Sequence, residues 1–406
     1  MKGFTLFSAV ALAAMFTSVA TAQKSAPLAD LSELDVRTIY SSEMPFVRRI
    51  DLRGDFQPAG SLPDPYIYLQ TMFARWNDGG TYGLSFFPFS GDRTIGDDVV
   101  LLGGAPDPDT GYDTTTPVAC ASEITFALLT VDPIGGTLDL RIDIHPWNGL
   151  FGSAAGASIA SATINLNIPS APNPPGFAIY LITISATNLQ LPKAFWLAFT
   201  PQTTSTINRG NVGLLIANGT PGNVSILPGR GYFRVATPPA VFTGVTGGSL
   251  FTGLPQGSFY IAIRGKHNFV GTVDMSALND RAKPSDPLSF EFADTSDAEK
   301  ALRRNLVDVE VVNDGGPLPF TSRFTTYLDE NGRFTLPVDA AIASITLRRW
   351  DNGLMVTFNR PAEGWSTDVC NPTTASATMT FGDVNGDGII DDADLLTVLF
   401  GFGSGE

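Results

Sequence analysis

Leu138, Leu140, Ile142 and Ile144 alternate with Asp139, Arg141, Asp143 and His145, a period of two that gives a strand one apolar and one polar face. The same alternation runs through Ile124, Phe126 and Leu128, through Phe195, Leu197 and Phe199, and through Phe259, Ile261 and Ile263. Turn-forming clusters separate these runs: Asp132 to Gly136, Asn173 to Gly176 and Asn218 to Gly222. No stretch sustains a helical period. Strands that follow one another without crossover helices pair antiparallel, so residues 38–266 are predicted to form one large antiparallel β-sandwich.

A second unit is predicted from Asn268 to Phe358. Leu288, Phe290 and Phe292 alternate with polar or small neighbours, "SRFTTYLDENGRFTLPV" reads as a hairpin turning at Asp329 to Gly332, and two further strands lie around Ile345 to Trp350 and Leu354 to Phe358. Ser296 to Glu299 forms a capping box that opens a short helix to about Arg304. Residues 359–381 turn polar and contain Pro361 and Pro372, which reads as a linker. On this strand-turn-strand pattern the second unit resembles the small immunoglobulin-like or prealbumin-like sandwiches of bacterial secreted proteins, and the first resembles their jelly-roll-like sandwiches. The fold class expected is mainly β.

Composition agrees with many short strands: Gly 41 and Pro 29 are abundant, while charged residues make up only 16% of the 406. That length exceeds what one core organises, which favours two domains or more. A formal net charge of −15 sets the chain against nucleic-acid phosphates and anionic lipid as partners. At the N-terminus, Lys2, the apolar run Phe4 to Val19 and the small residues Ala20 to Ala22 have the form of a signal peptide cleaved after residue 22. The run falls short of the roughly 20 residues that cross a bilayer, so a secreted protein without a membrane span is expected. Cys120 and Cys370, the two cysteines, could bridge body and tail in an oxidising compartment, although nothing in their spacing demands it.

The most specific signal is "DVNGDGIIDDAD", residues 383–394. Calcium takes six to eight oxygen ligands, and a twelve-residue loop supplies them from alternate positions with a glycine at the sixth for the turn. Asp383, Asn385 and Asp387 stand first, third and fifth, Gly388 sixth, Ile389 offers its carbonyl at the seventh, and Asp391 and Asp394 stand ninth and twelfth. The stretch resembles one repeat of a type I dockerin, in which aspartate also replaces the final glutamate of ordinary EF-hands. The resemblance implies Ca2+ as cofactor and docking onto a cohesin-like or cell-surface protein, in assemblies that often degrade polysaccharides. A dockerin carries two repeats and this chain shows one, with Asp392 and Ala393 where the familiar hydroxyl pair stands. Leu395, Leu396, Val398, Leu399 and Phe402 follow on a helix of barely two turns, too short to persist uncovered in water.

Signals for catalysis are weak. His145 and His267 are the only histidines, and neither has a second histidine or a cysteine at metal-ligand spacing. Asp139 and Asp143 share one strand face with Arg141 between them and read as a solvated ion-pair row. Asp107, Asp109 and Asp113 lack the sixth-position glycine and read as a turn. Tyr66, Tyr68, Trp76 and Trp147 could stack on sugars, but aromatics in strands more often belong to the core. The sequence therefore points to a non-catalytic protein for attachment or display, with no catalytic residue assigned. A polysaccharide-degrading enzyme or carbohydrate-binding module in the first sandwich is the alternative.

Overall fold

The computed structural model describes residues 37–40, 46–52, 62–70, 76–78, 81–89, 94–101, 116–146, 158–173, 176–216, 240–242, 248–250, 259–275, 306–315, 320–349, 354–379, 383 and 389–401. Outside them lie the signal peptide, the Ser296 capping box, the Leu288 to Phe292 alternation, the Asp107 to Asp113 turn, Trp147, Asn385, Asp387 and Gly388.

The first sandwich contains β1 (Arg37–Tyr40), β2 (Phe46–Leu52), β3 (Tyr66–Gln70), β4 (Trp76–Asp78), β5 (Thr81–Pro88), β6 (Thr94–Val100), β7 (Pro117–Thr130), β8 (Gly135–Pro146), β9 (Ala160–Pro169), β10 (Ala178–Pro192), β11 (Ala194–Pro201), β12 (Val212–Leu215), β13 (Ala240–Phe242), β14 (Gly248–Leu250) and β15 (Ile261–Lys266). One sheet runs β14-β13-β6-β11-β8-β9; the other runs β1-β5-β12-β7-β10-β2, with β15 between β3 and β7 and β4 beside β5. Each alternating strand sends its apolar side inward. Leu138, Leu140, Ile142 and Ile144 of β8 meet Phe126, Leu128, Tyr180 and Ile182 of the facing sheet in one core, and the rings of Phe126 and Phe199 lie 4.9 Å apart across it. The mainly β sandwich is as the alternation predicts. Its pairing is not purely antiparallel, because β2 runs parallel to β10.

Only His267 and Asn268 separate β15 from β16 (Phe269–Asp274), the first strand of the second unit. β17 (Leu306–Asn313), β18 (Phe320–Tyr327), β19 (Arg333–Leu336), β20 (Ile342–Arg349), β21 (Met355–Asn359) and β22 (Thr373–Thr378) complete it among the described residues. They form a sheet β19-β16-β22 and a sheet β18-β17-β20-β21. Phe269 sits between the sheets, its ring centroid 5.8 Å from Phe334, 5.7 Å from Phe358 and 5.1 Å from Trp365.

Two expectations are corrected here. Residues 359–381 are not a linker: β22 lies inside them, pairs in parallel with β16 from Phe269↔Thr373 to Asp274↔Thr378, and is flanked by the buried Trp365 and Met379. Its inward residues are Ala375 and Ala377 among threonines and a serine, too small to register as an apolar face. The hairpin is also absent. The turn forms, with Asp329 Oδ1 accepting from the backbone N–H groups of Asn331 and Arg333 and with Gly332 at φ +70°. Beyond it the strands part, β18 pairing with β17 and β19 with β16, so the turn joins two sheets.

The outward side of the larger sheet is also apolar. Tyr66, Phe86, Ala127, Leu129, Ile179, Leu181 and Tyr260 are buried in one continuous cluster with the core of the second unit. The two units therefore share a core instead of meeting at polar surfaces.

Candidate metal loop and the seam between the sandwiches

The loop at residues 383–394 follows β22 closely, since Met379 N–H bonds to Asp274 O at 3.1 Å and Asp383 is only four residues further on. Asp383 is fully buried and Asp394 is 4% exposed, so the first and twelfth loop positions are withdrawn from solvent. Ile389, Ile390 and Asp391 between them are exposed. α1 (Asp392–Gly401) begins at the end of the loop. Its start is organised by carboxylates: Asp391 Oδ1 accepts from Ala393 N–H at 2.8 Å, and Asp394 Oδ2 accepts from Asp391 N–H at 2.9 Å. Asp391 thus caps the second residue of the helix and Asp394 reaches back to the cap's own N–H, as the third helical residue of a capping box does, and both negative charges also favour the positive end of the helix.

Of the six expected ligands, the described residues bring Asp383 and Asp394 into the interior, set Asp391 at the helix cap and leave Ile389 at the surface. Burying carboxylates is costly unless hydrogen bonds or a cation compensate, so two at the ends of an oxygen-rich loop fit a hard divalent cation. No group of three or more metal-ligating side chains occurs among the described residues. The helix beyond carries Leu395 and Leu399, both more than half exposed, with Leu396 and Val398 also exposed. The body does not cover them.

The other candidates have structural work. Tyr66 and Tyr68 are core residues, not a sugar platform. Asp139 accepts hydrogen bonds from Thr204 and Asn165, which hold its carboxyl below the usual range. Asp143 is not solvated as expected but buried, 2.9 Å from the Arg141 guanidinium.

A second cluster, which sequence reasoning missed, closes the seam. Arg264 at the end of β15 lies 4.0 Å over the Tyr66 ring and donates to Tyr66 Oη at 2.7 Å, to Asp64 O at 3.0 Å and to Glu330 Oε1 at 2.9 Å. Its guanidinium stands 3.7 Å from Asp329 Oδ2, and Lys266 stands 3.7 Å from Asp64. Thus the turn between β18 and β19 offers carboxylates to the last strand of the first sandwich. Nearby, Cys120 of β7 is joined to Cys370 by a disulfide with its Cα atoms 5.2 Å apart. The loop before β22 holds Cys370 in place, Asp368 Oδ1 accepting from Cys370 N–H and Asp368 Oδ2 from the Asn371 amide. The sole pair of cysteines was the one visible signal for this seam.

His267 is fully buried at the boundary. Its Nδ1–H donates to Val118 O at 2.8 Å, while Nε2 has no hydrogen-bond partner. Protonating Nε2 would create a buried donor without an acceptor, and burial holds the imidazole down to about 4 despite the Val118 contact. Burial pushes Asp329 the other way, up to about 6, with the Glu330 charge adding to it and the backbone donors and Arg264 opposing. The two titrations act in opposite directions on stability. As pH falls from 6.5 to about 4 the unfolded chain takes up a proton at His267 that the folded chain refuses, at a cost of about 3 kcal/mol. As pH falls through about 6 towards 3.8 the folded chain takes up a proton at Asp329 before the unfolded one, a gain of about 3 kcal/mol. Asp329→Asn keeps the turn's acceptor and removes the gain. Its urea midpoint is expected to fall steeply between pH 6.5 and 4 while the parent changes little; parallel profiles would refute the balance.

The class this architecture defines is a mainly β protein of two sandwiches with a shared core and a short C-terminal loop-helix. No protein-family model matches the chain, and no curated protein resembles it significantly in sequence. Among the described residues no helix is long and apolar enough to cross a membrane.

Proposed function

We propose that this is an exported, non-catalytic attachment or display protein whose C-terminal loop binds calcium and holds α1 ready for a cohesin-like or cell-surface partner. The observation that carries this reading is the contrast at the tail: Asp383 and Asp394 are buried at the two ends of the loop, whereas the leucines of the helix they introduce are exposed. Asp383, Asn385, Asp387, Asp391 and Asp394 would supply side-chain oxygens and Ile389 its carbonyl. A bound calcium supplies positive charge that relieves repulsion among these carboxylates. The Cys120 to Cys370 bridge supports an oxidising destination.

Calorimetric titration of the full chain with Ca2+ is expected to show one site with a Kd between roughly 10⁻⁵ and 10⁻³ M, adequate outside the cell. Asp383→Asn should weaken it by about tenfold or more, because a first-position carboxylate becomes a neutral amide. Chelation should speed proteolysis within residues 383–401 without changing the rate elsewhere. Absence of binding heat, with cleavage indifferent to calcium, would falsify the calcium reading.

A further inference from the structure

The smaller sheet of the first sandwich, β14-β13-β6-β11-β8-β9, ends on β9, which pairs with β8 alone among the described residues. Ten residue pairs run from Ile144↔Ala160 to Gly135↔Pro169 without a bulge. Among the described residues the other side of β9 therefore has no strand beside it and presents a straight row of backbone donors and acceptors, the kind of edge that proteins normally blunt with lysine, a bulge or an internal proline. β9, "ASATINLNIP", has none of these: it carries no charge, and its single proline is its last residue. Ser161, Ala162, Thr163, Asn165 and Asn167 are all exposed.

We propose that β9 is a self-association edge and that its occupant is β9 of a second copy of this chain, paired antiparallel about a two-fold axis at Ile164. Charge selects the occupant. At a net charge of −15 two copies repel over most of their surface, and β9 is a neutral ten-residue strip. Centring the axis on Ile164 sets Thr163 opposite Asn165 of the second copy and Ser161 opposite Asn167. Thr163 is paired with Arg141 and Asn165 with Asp139 on β8. Each Arg141 row thus continues into the Asp139 row of the other copy, three strand spacings or about 14 Å away, and no like charges share a row. On the inner side, Ile164, only partly covered by its own core, meets its counterpart, and the exposed Ala162 meets Leu166. The contact is closed and isologous, turning two six-stranded sheets into one.

Sedimentation equilibrium of the full chain from roughly 1 to 100 µM, the range suited to a modest interface, is expected to show the mass rising to twice that of one chain. Thr163→Lys with Asn165→Lys places lysines opposite each other on both sides of the axis and should hold the mass at one chain, with an unchanged circular dichroism spectrum and thermal midpoint. Register is tested by cysteine. Both native cysteines are bridged, so a lone Ile164→Cys should form a covalent dimer under mild oxidation, whereas Asn167→Cys should not. A parent that stays at the mass of one chain, an assembly that survives the paired lysines, or crosslinking at 167 as readily as at 164 would each overturn the proposal.

Discussion

Cys120→Ala with Cys370→Ala is expected to lower the unfolding free energy by about 5 kcal/mol, the largest effect of any change that leaves the hydrophobic cores intact. The bridge closes a loop with a sequence separation of 250 residues. Removing it releases an unfolded ensemble that is otherwise tied between Cys120 and Cys370, and loop-closure entropy grows with the logarithm of that length. The native fold should persist, because the shared core and the contacts of Arg264 hold the same seam without the bridge. Guanidinium unfolding of the double variant, compared with the reduced parent, checks this. A loss below about 1 kcal/mol in both would show that the unfolded chain gains little freedom from the cut.

Phe269→Ala should cost about 4 kcal/mol, within the range for deleting a buried aromatic ring. Phe269 has no exposed surface and contacts Phe334 on its own sheet, Phe358 on the facing sheet and Trp365 on the segment leading to β22. Its removal leaves a cavity where three elements meet, and edge-to-face contacts are lost with the apolar burial. Because the core of the second unit is continuous with the outer face of the first, the loss should shift one cooperative transition rather than detach a separate one. Denaturation followed by both tryptophan fluorescence and far-ultraviolet circular dichroism tests this, and the prediction fails if the two probes give separate midpoints. Phe269→Leu should recover more than half of the loss by refilling most of the volume.

The residues that were legible in sequence are those whose local pattern is the cause of the local structure. β8 shows its period of two because Leu138 to Ile144 face a core and their neighbours do not. The change of strand at Asn268 is legible because Phe259, Ile261 and Ile263 end one apolar alternation before it and Phe269 follows it. The run of oxygen-bearing side chains from Asp383 to Asp394 is legible because it is a spacing along the chain, whatever the body beneath it. Even so, the burial of Asp383 and Asp394 depends on the body, and spacing alone does not give it.

What escaped the sequence has a common physical origin in contacts between distant segments. β22 is a strand because β16 accepts it in parallel, since its own threonines and alanines have little apolar contrast. The turn at Asp329 to Gly332 looks like a hairpin locally, and its strands separate because each finds a better partner in a different sheet. Arg264, His267 and the Cys120 to Cys370 pair acquire their roles only when the seam closes around them. By itself the sequence determined the alternating strands, the mainly β class and the run of oxygen-bearing residues near the C-terminus, because alternation, turn chemistry and residue spacing act over a few residues. Only the tertiary structure decided which strands pair, that the two sandwiches share one core, and which carboxylates leave the solvent, because those outcomes depend on surfaces brought together from opposite ends of the chain.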